Sequence, residues 1–242
     1  MAKASVAGAV KTRLVPPLTP EEAAELNSSF LADVADNIAI AATQAPIQGF
    51  AAYHPSGSER FIAALLPDGF KLLPPKEPTL GRSLVHAARD LLAAGYGSAC
   101  LVNADSPTLP TRLLVEAVRH LQEPGDRVVL GPAADGGYYL IGLKCFHPRL
   151  FEAIDWSTER VYRQTIARAT EIGLSVAALA EWYDVDDEAT LAVLARELLA
   201  GPDANGSYRG GYAAPNTTGF LERLWDANGE VRRLLDTWPH PA

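Results

Sequence analysis

Apolar residues at Leu26, Phe30, Val34 and Ile38 recur every fourth position, which lays them along one face of a helix. Its start is marked by Thr19 as cap, Pro20 at the first helical position and Glu22 completing a capping box. Downstream, short apolar runs alternate with helical periodicity. Strands are expected at Ile47–Tyr53, Phe70–Leu73, Ala99–Asn103, Arg127–Leu130 and Leu174–Leu179, and at the alternating run Tyr139, Ile141, Leu143. Helices are expected at Ser58–Leu66, Ser83–Ala94, Thr111–Gln122, Phe146–Ile154, Thr158–Ile172 and Glu188–Leu199. Strands alternating with helices imply βαβ units: an α/β fold with a mostly parallel sheet and helices on both faces.

The texture changes at Gly201. Residues 201–216 are rich in Gly, Asn, Pro and Ala and read as a linker, whereas Leu221, Leu224, Trp225 and Leu235 predict a C-terminal helix docked on the body. The expected organisation is therefore one domain over 1–200 and a linker with docking helix over 201–242. Met1-Ala2-Lys3-Ala4-Ser5 is not strand-like, so the strand ending at Asn103 is expected to have a weakly paired neighbour on that side.

Composition narrows the classes. A net charge of −8 argues against nucleic-acid binding, which calls for a basic face. No apolar run approaches the ~20 residues of a membrane helix, and the mixed residues after Met1 do not resemble a signal peptide, so a cytoplasmic protein is expected. Cys100 and Cys145 lack metal-ligand spacing, and the five histidines are scattered. A zinc site is not expected.

Chemistry concentrates in loops. In Asp135-Gly136-Gly137-Tyr138 the glycines permit positive φ and close backbone approach to a ligand. An ordinary tight turn uses the same residues. Asp105 follows the Ala99–Asn103 strand, at the carboxyl end where open parallel sheets bind ligands. A carboxylate there suits Mg²⁺ or Mn²⁺, although capping of the next turn would also account for it. In Asp184-Val185-Asp186-Asp187 an extended backbone turns Asp184 and Asp186 one way and Val185 the other; Asp186 is assigned to metal and Asp187 to capping the next helix. Gly8, Lys11, Thr12 and Arg13 form a basic loop in which Arg offers forked bonds to phosphate and Lys a point charge. A solvated basic loop is the plainer alternative. Walker, dinucleotide and hydrolase-elbow motifs are absent.

In this order, Gly8–Leu14, Asp105-Ser106-Pro107, Leu130–Tyr138, Ile154–Thr158 and Asp184–Asp186 resemble the bacterial glycosyltransferase-like family grouped with the nucleotide-diphospho-sugar transferases. More distantly the chain is similar to the phospholactate and molybdenum-cofactor guanylyltransferases. The resemblance covers about residues 2–199. It implies a GT-A type fold, nucleotide in a cleft above the strand ends, and a divalent ion. It puts Lys11 and Arg13 on the phosphate loop, Asp105 and Asp186 on the metal aspartates, and Asp135–Tyr138 on the acceptor or sugar pocket, with Lys11, Arg13 and Asp105 catalytic.

The expected function is a metal-dependent transferase acting on a nucleotide-activated sugar and a small-molecule acceptor, with an oligomer possible. Two alternatives stand beside it: a nucleotidyltransferase releasing pyrophosphate, and a non-catalytic nucleotide or sugar-phosphate binder.

Overall fold

In the computed structural model, residues 1–75, 80–199 and 210–227 are described. Three strands, β1 (Ala2–Lys3), β2 (Phe50–His54) and β3 (Lys71–Leu73), form a parallel sheet in that order. Four more, β4 (Ala99–Val102), β5 (Arg127–Pro132), β6 (Tyr138–Leu143) and β7 (Ser175–Ala178), form a second sheet in the order β4-β6-β5-β7. The sheets meet at β1 and β4, where the Met1 ammonium donates to the Val102 carbonyl at 2.8 Å. β5 and β7 run parallel, while β6 is antiparallel to both β4 and β5. The expectation of alternating βαβ units fails only there. Asp135–Gly137 is a hairpin turn, too short for the crossover that a parallel partner needs.

Helices cover both faces. On one side α4 (Thr111–Gln122) packs Leu113, Ala117 and Leu121 with Val129 and Leu140. The end of α1 (Pro20–Ala42) reaches the same core through Ala41. On the other side α3 (Leu80–Ala93) and α5 (Val161–Glu171) enclose Leu101, Val128, Leu130, Ile141 and Leu143. Val128 and Leu130 face one layer and Val129 the other, the alternation of a strand buried on both sides. A short helix, α2 (Glu59–Ala63), follows β2.

The α1 cap forms as its sequence implies: Thr19 Oγ1 accepts the Glu22 amide and Glu22 accepts the Thr19 amide. One expected helix is lost. Phe146–Ile154 contains only a 3-10 turn at Pro148–Phe151, and Ala153 at φ 51° prevents its continuation.

A third cluster joins α1, α6 (Glu188–Leu199) and α7 (Pro215–Ala227) around Phe30, Leu194, Phe220, Leu221 and Leu224. Fully buried Asp33, on α1, accepts the backbone amides of Asn216 at 2.9 Å and Thr217 at 2.7 Å. It caps the first turn of α7 from another helix, where exposed amides favour negative charge. Trp225 is half-buried, and Leu235 lies outside the described residues.

Candidate active site

The basic loop leaves β1 and turns back at Lys11, whose left-handed φ of 47° caps a 3-10 turn at Thr12–Leu14. Leu14 is fully buried and anchors the turn in the α1–α6–α7 core. Thr12 and Arg13 are exposed. Lys11 instead points inward, its side chain only 6% exposed. Its ammonium lies 2.5 Å from Asp105 Oδ1, 3.2 Å from Asp186 Oδ1 and 2.6 Å from the Val185 carbonyl, and 5.2 Å from the Phe30 ring centre. A desolvated ammonium is held there by two carboxylates and an aromatic face. Asp105 and Asp186 are thus brought together, with Lys11 between them rather than across the cleft.

Backbone pairing brings the acidic loops into contact. The Val185 amide donates to the Asp105 carbonyl at 2.9 Å, joining the end of β4 to the segment before α6. Val185 is fully buried, so extended alternation turns Asp184 and Asp186 to the cleft. Asp187 caps α6: its Oδ1 accepts the Thr190 amide at 2.9 Å, and that bond lowers its pKa.

Asp135 arrives from the β5–β6 hairpin. Gly136 sits at φ 89°, where a Cβ would come within 2.3 Å of the Glu159 carbonyl oxygen, so the turn demands glycine. The Gly137 amide donates to Asp135 Oδ1 at 2.7 Å, which orients the carboxylate. Asp135, Asp184 and Asp186 each offer an oxygen within 4.8 Å of the others. Burial, then the charges of Asp135, Asp186 and Asp105, pushes the Asp184 carboxyl up to about 7. Three hard oxygen donors at this spacing fit a divalent cation such as Mg²⁺ or Mn²⁺.

These groups line a cleft of about 520 Å³, together with Thr12, Arg13, Gly137 and Tyr138; Gly8 and Gly136 shape the loops behind it without lining it. Arg13 is exposed in the cleft lining, and its charge acts on Asp187. The lining also includes Trp156, Ser157 and Thr158. Trp156 meets Tyr138 edge to face at 6.5 Å and packs so closely on Gly81 that a Cβ there would lie 2.4 Å from the indole nitrogen. Sequence reasoning gave Trp156 and Asp184 no role. Trp156 lies in the Ile154–Thr158 motif with no chemistry of its own to mark it, and the place of Asp184 depends on Asp135, about fifty residues away in sequence.

The bacterial family described as "Uncharacterized protein conserved in bacteria (DUF2064)" matches residues 37–158. The chain belongs to this family. The DUF2064 match contains β2 through β6 and the Asp105 and Asp135 loops, while Lys11 and Asp186 lie outside its bounds. No curated protein matches the chain. Among solved structures, one from Desulfovibrio desulfuricans G20, a "putative nucleotide-diphospho-sugar transferase" by name, is 30% identical with a TM-score of 0.78. The alignment covers 96% of this chain and 95% of that one. This DUF2064 protein therefore has the α/β, nucleotide-diphospho-sugar transferase type of fold that its sequence motifs imply. No helix among its described residues is long and apolar enough to cross a membrane.

Proposed function

We propose that this protein is a metal-dependent transferase that takes a sugar from a nucleotide-diphosphate donor and passes it to a small-molecule acceptor. The observation that carries this reading is the convergence of Asp135, Asp184 and Asp186 beside the Lys11–Asp105 pair, in one cleft with Arg13. Asp135, Asp184 and Asp186 would hold Mg²⁺ or Mn²⁺, which supplies charge neutralisation of a diphosphate when bound. Arg13 offers two parallel donors to phosphate oxygens from the rim. Lys11 ties the β4 loop to the loop before α6, keeping Asp186 in register with its neighbours. Tyr138 and Trp156 form an aromatic wall against which a sugar ring or acceptor can pack.

Likeness to the Desulfovibrio structure supports a transferase of this general kind. The test is a thermal-shift screen of nucleotide sugars and nucleoside triphosphates, each with and without Mn²⁺, followed by product analysis of the hits. A specific ligand at a hundredfold excess over Kd adds ~2.7 kcal/mol of apparent stability, a shift well within detection. A metal-dependent shift with a nucleotide sugar and release of a nucleoside diphosphate is expected. Release of pyrophosphate from a triphosphate would instead mean nucleotidyl transfer, and no shift with any nucleotide would sink the proposal.

A further inference from the structure

Tyr138 lines the cleft, yet its hydroxyl is shut off from water and has no hydrogen-bond partner among the described residues. Buried hydroxyls are bonded as a rule, because an unpaired one forfeits the bonds it would make to water. Burial also raises the pKa of Tyr138, so the hydroxyl is neutral and keeps its proton to donate.

The ring beside it is Trp156, edge to face at 6.5 Å. The backbone around Trp156 is fastened on both sides. The Asp155 amide donates to Gln164 Oε1 at 2.8 Å, Gln164 Nε2 donates to Asp155 Oδ2 at 2.8 Å, and Thr158 Oγ1 donates to the Asp155 carbonyl at 2.7 Å. Ala153 at φ 51° and Ser157 at φ 64° bracket the segment with left-handed conformations that are unfavourable for a residue bearing a side chain. With the chain so tied, the part free to move is the indole, by rotation about its own side-chain bonds. Its present seat is Gly81, in the first turn of α3, where a Cβ would come within 2.4 Å of the indole nitrogen. Alanine suits a helix better than glycine, and this seat is what alanine could not provide.

The place of Tyr138 tells which ligand group it meets. It follows Asp135 by three residues on one hairpin, and the Gly137 amide between them holds the Asp135 carboxylate. A sugar is joined directly to the diphosphate that a cation at Asp135, Asp184 and Asp186 would grip. The lining also carries Asp105, and four aspartates oppose a carboxylate ligand while leaving a neutral, hydroxylated ring unopposed.

Given the transferase reading above, on which this depends, we propose that the Tyr138 hydroxyl determines specificity for the donor sugar. The Trp156 indole swings aside, and a hydroxyl of the sugar ring bonds to Tyr138 Oη in the space it leaves. Sugar binding thereby satisfies a group that the free protein leaves unpaired, whereas a bare nucleoside diphosphate cannot.

The first test is the melting of ligand-free Tyr138→Phe, which deletes the hydroxyl alone. Its Tm should rise by about 2 °C or more. A smaller rise or a fall would show that the hydroxyl has a partner in the free protein and overturn the proposal. Calorimetric titrations with Mn²⁺ then compare UDP, GDP and ADP with their glucose conjugates. In the parent, one conjugate should bind about tenfold or more tighter than its bare diphosphate. Tyr138→Phe should lose that margin and bind the bare diphosphate as the parent does. The conjugate alone should change the tryptophan fluorescence of the parent, and Trp156→Phe should abolish the change. A margin that is missing in the parent or survives in Tyr138→Phe, or a fluorescence change that persists in Trp156→Phe, would overturn the proposal and leave the transferase reading standing. Failure of the parent to bind any of these nucleotides would instead bring down that reading, and the proposal with it.

Discussion

Asp184 carries the largest conflict of any single side chain in the cleft. It is half-buried beside Asp135 and Asp186, and its carboxyl titrates near 7 instead of in the usual carboxylate range. A folded-state pKa raised above the unfolded value means that the folded form binds the proton more tightly. The associated stability is fully present below ~4, the unfolded value, and is lost as pH rises through about 7. In EDTA, Asp184→Asn is therefore expected to have a higher Tm than the parent at pH 8, with the difference shrinking at pH 5. Paired melts at the two pH values check this, and a variant less stable than the parent at pH 8 would remove the conflict argued here. With Mn²⁺ present, the same substitution should weaken any metal-induced stabilisation, because one of three oxygen donors has lost its charge.

Among the elements, α7 shows how one carboxylate orients a helix. Asp33 is inaccessible to solvent and receives two backbone amides of the first α7 turn, while Asn216 Nδ2 adds a third bond at 2.9 Å. Leu221 and Leu224 then close the apolar contact with α1 and α6. Asp33→Ala would leave the buried Thr217 amide without a partner, at a cost of about 1–3 kcal/mol, while the exposed Asn216 groups turn to water. The expected result is a Tm several degrees lower, with faster proteolysis within 200–216 than in the parent. Unchanged melting and cleavage would mean that apolar contact alone docks α7. The periodicity of Leu221 and Leu224 made this helix legible in the sequence. Its capping did not, because the partner lies on α1, some 180 positions earlier.

At the scale of the whole molecule, the cleft exists because four separated loops end on one side of the sheet. The Lys11 ammonium links the first to Asp105 and Asp186, and the Val185–Asp105 backbone bond links the second to the fourth. Asp105→Asn preserves the shape of this junction and removes one charge from the Lys11 cage. Turnover of whichever nucleotide substrate the screen identifies should fall by about 100-fold or more, ~2.7 kcal/mol in the barrier, with far-ultraviolet circular dichroism unchanged. Full activity in that variant would show that Asp105 is a structural cap alone.

The sequence by itself determined the elements and the chemistry available to them. Capping at Thr19 and Glu22, apolar stripes on α1 and α4, and alternation in β5 are local, since helix and strand periods act over a few residues. The same holds for the opposed directions of Val185 and its flanking aspartates. Only the tertiary structure decided that Lys11 points inward between two carboxylates, that Asp184 joins Asp135 and that Trp156 lines the cleft. Each of these depends on which loops become neighbours after the sheet assembles. Coulombic and packing terms between groups as distant as Lys11 and Asp186, 175 positions apart, have no signature in local periodicity.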